Sequence, residues 1–156
     1  MQVLFTHIDG RRFAIDCAGV SEVLPVVSHR PAGAGPAWLL GLFNLHGALV
    51  PLVDLATIVC GRPAEVRLGS RIVVVRAAGT ADAAGVVGLL VPDLGGPERR
   101  DFDDAGAHGG FPFAGASHLG PTIADAEGMV QLIRCTRLLE GDAALRALPA
   151  SGGPDS

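Results

Sequence analysis

Five histidines, three cysteines and sixteen carboxylates are the residues of this chain with chemistry to offer. His7 alternates with Phe5 on an expected strand near a turn and reads as a surface or edge histidine. His29 and His108 fall in expected loops, with no metal-ligand spacing around them. His118 follows Ser117, but adjacency is not triad geometry, and no GxSxG elbow is present. Asp101, Asp103 and Asp104 make a DFDD cluster whose downstream glycine and glutamate are misplaced for a calcium loop, so it reads as a solvated loop. The glycine-rich runs at 33–35, 95–96 and 109–110 do not follow a strand and open a helix as GxGxxG does. Cys17, Cys60 and Cys135 are far apart, odd in number and set among apolar neighbours, which predicts reduced, buried thiols in a cytoplasmic protein. All twelve basic residues are arginine and tyrosine is absent. That removes a P-loop lysine, a Schiff base, a Ser-Lys dyad and tyrosine acid–base catalysis. A hydrolase built on His118 or a metal would need a deep polar pocket. Function is therefore expected in surfaces, with no cofactor, no metal and no enzyme activity.

The elements that must present those surfaces follow from the pattern. The chain has 156 residues, 49% hydrophobic and 18% charged, with a formal net charge of −4. That is a globular, mildly acidic composition, unsuited to nucleic acid or an anionic membrane. The N-terminus lacks a secretory pattern, and the apolar region 37–59 is interrupted by Asn44, His46 and Asp54, so it reads as core strands. Residues 3–8 and 12–16 flank Asp9-Gly10 as a β-hairpin. Val20, Val23 and Leu24 stand at i, i+3, i+4 and predict one or two helical turns over 18–24, stopped by Pro25. Strands are expected at 38–45 and 48–54, the second at an edge or bulge because it holds Pro51. A helical turn at 55–60, ended by Gly61, leads to a polar connector at 62–69. Further strands are expected at 71–76, 85–91 and 129–134, with a turn at 79–84. A long irregular stretch covers 95–121, a helix 136–148 and a frayed tail 149–156. Many short strands and no crossover helix point to small barrels or a sandwich.

The most specific stretch is Gly41–Leu55, GLFNLHGALVPLVDL. Asn44 and His46, two apart on a strand, share a face, while Leu45 points the other way. Gly47 supplies the turn, Val50, Leu52 and Leu55 pack inward, and Asp54 caps the next turn. With Phe13–Asp16, the Val20-Ser21-Glu22-Val23 segment, Pro36, Arg71–Val75, Val86–Val91 and Gly128–Leu139, this stretch resembles the CheW family of coupling proteins. The likeness runs over about residues 3–140 and is strongest in the first half.

The resemblance implies a mainly β fold, with two SH3-like five-stranded β-barrel lobes sharing a core, plus short helices and a C-terminal helix. It implies one domain over 1–148, with lobe 1 about 14–66 and lobe 2 about 67–135, and a flexible tail at 149–156. It implies a non-enzymatic cytoplasmic adaptor recruited to membrane receptor arrays. Its partners would be the regulatory domain of a CheA-type histidine kinase, met mainly by the first barrel, and the tip of a chemoreceptor coiled coil, held in a groove between the barrels. Weak self-association and a role in a non-motility chemosensory pathway fit the same likeness. The carried-over protein-binding residues are Val20, Glu22, Gly41, Leu42, Asn44, His46 and Gly88. Val20 would give apolar groove surface, and Glu22 the polar rim or a brace for the hairpin. Gly88 matches a glycine where the second barrel approaches its partner. Two positions depart from the family pattern: His46 stands for an arginine, and Pro92 for an aspartate, with Asp93 one place later.

Overall fold

Two positive backbone angles in succession, φ 53° at Asp9 and 74° at Gly10, turn the chain back on itself between β1 (Gln2–Ile8) and β2 (Arg11–Asp16). This is the tight hairpin turn whose twist matches its strands. The same device, at His46 (φ 50°) and Gly47 (φ 90°), joins β5 (Leu39–Leu45) to β6 (Ala48–Asp54). In the computed structural model residues 1–76, 85–102 and 118–141 are described. The remaining strands are β3 (Val20–Pro25), β4 (Arg30–Pro31), β7 (Arg71–Arg76), β8 (Val86–Val91), β9 (Gly95–Arg99), β10 (Leu119–Asp125) and β11 (Gly128–Ile133). The helices are α1 (Leu55–Cys60) and α2 (Cys135–Gly141).

The strands form two sheets, ordered β10-β11-β2-β1-β9 and β3-β7-β8-β6-β5-β4. Each sheet takes strands from both halves of the chain. Each also contains one parallel pair, β11 with β2 and β6 with β8, among antiparallel neighbours. The facing sides of the two sheets enclose a shared core that includes Leu4, Phe13, Ile15, Val53, Leu55, Val73, Leu89 and Ile133. The other side of the six-stranded sheet wraps Phe43, Val50, Leu52, Ile72, Val74 and Leu90. The other side of the five-stranded sheet covers Val3, Ala14, Phe102, Val130 and Leu132. Central strands buried on both faces therefore read as unbroken apolar runs, as in VVGLLV of β8, buried at all six positions. The result is the mainly β, two-lobed, shared-core architecture expected from the sequence.

Several local expectations change. Residues 20–25 are a strand, not helical turns. Their burial alternates with period two, and β3 pairs antiparallel with β7. Val20, Val23 and Leu24 satisfy the helical spacing only because a six-residue segment is too short to separate the two periods. Pro51 is not on an edge. It pairs with Leu42 of β5, while the ladder to β8 begins one residue later at Leu52, so its missing N–H breaks no bond. The irregular reading of 95–121 fails at both ends, where β9 and β10 form. All five β9 residues, GGPER, are exposed, and the strand is held by backbone pairing to β1. Cys135 is buried, but Cys17 and Cys60 are only half-buried. The expected turn at 79–84, the loop over 103–117, the helix beyond Gly141 and the tail lie outside the described residues.

Candidate functional site

Asp54 shows how the local sequence positions the first lobe. Its carboxylate caps α1 by accepting from the Ala56 amide (3.2 Å) and the Thr57 hydroxyl (2.8 Å). It also accepts from the Ala64 amide (3.0 Å), fixing the start of the connector. Gly61, at φ 74°, ends the helix in the left-handed conformation. The β5–β6 hairpin is thereby anchored at its base, and its tip projects into solvent.

At that tip the expected strand position of His46 is corrected. His46 lies in the turn, not on the strand face of Asn44. The Asn44 side chain caps the turn instead, its Oδ1 accepting the Gly47 N–H at 2.8 Å. His46 Nε2 then stands 3.0 and 3.1 Å from the two carboxylate oxygens of Glu22 on β3. β3 lies at one edge of the six-stranded sheet, with β7 and β8 between it and the β5–β6 hairpin. Flat strands spaced about 4.8 Å apart could not bring them together. The sheet must curl into a barrel, and the Glu22–His46 contact crosses its seam. His46 is 72% and Glu22 34% exposed at the side chain, so this pair is open to a partner.

Val20, on the same strand, is half-buried against the shared core between the sheets. Its amide donates to the Cys17 carbonyl at 3.0 Å. Val23, which the helical reading took as an apolar helix position, points outward at 41% exposure, and Val27 beyond the strand end is equally exposed. Glu22, Asn44 and His46 are thus brought together where β3 meets the hairpin tip, whereas Val20 turns toward the shared core and Leu42 is half-buried along β5.

The two glycines are elsewhere. Gly88 is buried, and a Cβ there would stand 2.4 Å from the Phe43 ring and 3.0 Å from Ile72. It has no surface to offer, and its place is the barrel interior. Gly41 is buried too, at φ 154°, with a Cβ position 1.8 Å from the Arg30 carbonyl oxygen. It lets β4 lie against β5.

A second concave region, of about 430 Å³, opens between the lobes. The β1–β2 turn, Ala56 and Cys60 of α1, residues 62–65 and Arg67 of the connector, Pro92 and Asp93 surround it. Their sequence signals, the Asp9-Gly10 turn, the polar connector and the Pro92-Asp93 departure, did not point to a shared cleft. Leu68 beside the cleft is 97% exposed. The Pro92-Asp93 departure borders this cleft, where the Pro92 carbonyl accepts from the buried Thr6 hydroxyl.

The remaining candidates that fall among the described residues lie in separate places. His118 is buried, and burial pushes its imidazole below its ordinary value. His7 and His29 are exposed on separate segments. Asp103, Asp104, His108 and Ser117 lie outside the described residues. Among the described residues, no group of three or more His, Cys, Asp or Glu is placed to hold a metal. None of their helices is long and apolar enough to cross a membrane.

Comparison with known proteins adds three findings. A family model described as the CheW-like domain matches residues 2–143. The chemotaxis protein CheW of Treponema pallidum (strain Nichols) is 32% identical over 54 residues, which is 35% of this chain and 32% of that protein. The match thus spans about a third of that relative's length. The crystal structure of the scaffolding protein TtCheW from Thermoanaerobacter tengcongensis superposes with a TM-score of 0.71 at 20% identity, covering 89% of this chain and 92% of that one.

Proposed function

The chain belongs to the CheW-like domain family, and from that premise we propose that it is a non-enzymatic scaffold of chemotaxis signalling. It couples the cytoplasmic tips of methyl-accepting receptors to the regulatory domain of a CheA-type histidine kinase. One observation carries this reading: Glu22 and His46 meet across the barrel seam on an open surface, and the same strand exposes the apolar side chain of Val23. Apolar side chains ringed by polar ones on a rigid sheet suit recognition of a helix. Val20 and Glu22, at the junction of the lobes, receive the receptor helix. The kinase domain meets the first lobe along the hairpin, at Leu42 and Asn44. The protein acts in the cytoplasm and joins membrane arrays through the receptor. Weak self-association through the same barrel edges accompanies these contacts.

His46 in place of the family arginine favours a variant of this role serving one particular receptor system, including a non-motility chemosensory pathway. Arginine grips a carboxylate with a permanent two-pronged charge; histidine does not.

Titration calorimetry tests the proposal. The intact chain is titrated with the kinase regulatory domain and, separately, with a soluble receptor-tip coiled coil. Micromolar binding to both is expected. Val23→Asp and His46→Ala should weaken receptor binding several-fold and leave kinase binding in place, with unchanged melting temperatures as the control. A native chain that binds neither partner would sink the coupling role.

A further inference from the structure

The two ends that come together behind Val20 carry a second chemistry. β2 and β11 run parallel, with Ile15 opposite Ile133 at the end of their ladder. Two residues further along each segment stand Cys17 and Cys135. Both face the shared core, Cys135 within it and Cys17 packed against it. The segments have not separated by that point. A Cβ on Gly19 would lie 2.5 Å from the methyl of Thr136. Neighbouring parallel strands hold register partners such as Ile15 and Ile133 about 4.8 Å apart, within the Cα spacing a disulfide spans, and the two cysteines follow just past the end of that ladder. Both thiols are free.

We propose that Cys17 and Cys135 form a thiol–disulfide pair that staples the start of α2 to the end of β2. The half-buried Cys17 reacts first. Its thiolate attacks one sulfur of a small-molecule disulfide, that S–S bond breaks, and one thiolate leaves and takes up a proton. The Cys135 thiolate then attacks the Cys17 sulfur and displaces the second thiolate. The two protein thiols are oxidised to one disulfide, and the incoming disulfide is reduced to two thiols. Burial pushes the Cys135 thiol up to about 12, with Asp16 and Cys17 adding to it. Burial, with Asp16 adding to it, raises Cys17 as well. The thiolates are therefore scarce in the closed protein, and the second step waits for the start of α2 to lift. Because the Val20 amide donates to the Cys17 carbonyl, the staple fixes the strand end from which the proposed partner surface departs.

The test incubates the intact chain with oxidised glutathione, digests it without reduction and maps linked peptides by mass. The expected product is lighter by two hydrogens and links the Cys17 and Cys135 peptides. The bond closes a loop over most of the chain, so the melting temperature should rise by about 10 °C and return on adding reductant. Cys60→Ser should keep the product and Cys17→Ser should abolish it. A stable glutathione adduct on Cys17, modification confined to Cys60, or a crosslink without a thermal shift would overturn the proposal. None of these readouts involves a kinase or receptor, so they stand apart from the coupling role.

Discussion

Gly88 and Gly41 show how a single missing carbon shapes the six-stranded barrel. Both sit in the recognisable part of the sequence and read there as partner surface, yet both are buried. A glycine's neighbours across the sheet cannot be read from its own position in the chain. Gly88→Ala forces a methyl into the Phe43 ring and should cost about 1–3 kcal/mol in urea denaturation. In the Phe43→Leu background the cost should shrink; an equal cost in both backgrounds would locate the clash elsewhere. Asp54, by contrast, was legible as a cap, because Asp before a short apolar run has one common use. At the seam, His46→Arg should add no more than about 1 kcal/mol to stability, since the pair is exposed. Its larger effect should be tighter receptor-tip binding, read by calorimetry. His118 sets the acid side. Burial keeps its imidazole below the ordinary 6.5, so the unfolded chain binds the proton first. Stability is then full above that value and declines as the pH falls below it. Melting curves from about pH 8 down to 5 should show this loss, and His118→Gln should flatten it.

Elements were legible in proportion to what they bury. β6, β7 and β8 are long apolar runs whose identity leaves little choice, and they were placed within a residue or so. β3 and β9 were not. β3 is short and half-buried, and its valines fit either period. β9 is an edge strand of glycine, proline and charge, ordered by the backbone of β1 more than by its own side chains. β9 also leads to a charged network with good geometry. Arg12 grips Asp125 with two bonds, at 2.8 and 3.1 Å. Arg100, just past β9, approaches the same carboxylate at 4.0 Å, and the two guanidinium groups lie over the Phe5 ring at 5.3 and 5.1 Å. These contacts join β2, β10 and the end of β9. Arg12 holds the Asp125 carboxyl below its ordinary value, so the pair's contribution is present at neutral pH and fades as the pH falls below about 4. Arg12→Lys keeps the charge but loses the fork. It should lower the melting temperature by a few degrees and leave the β3 surface and its binding unchanged.

At the scale of the whole molecule, two sheets share one core, and each sheet draws on both halves of the chain. Unfolding should therefore be a single cooperative transition, with circular dichroism and Trp38 fluorescence melting together. Two fragments cut within residues 62–69 should each fail to fold alone; an independently folded half would show that the lobes are separable units. The lobes were legible as a family likeness, whereas the exchange of strands between them was not, because pairing between distant segments leaves no periodicity to read. That exchange also bears on synthesis. β1 and β2 are the first of these strands to be made, and they sit in the middle of a sheet whose other members are β9, β10 and β11. Until those emerge, both edges of the newborn hairpin stay unpaired, while β3 to β8 already have every strand of their own sheet. The six-stranded barrel can close during translation, but the five-stranded sheet must wait for the last third of the chain. A messenger truncated before β10 would leave an open-edged, aggregation-prone product rather than a smaller working domain.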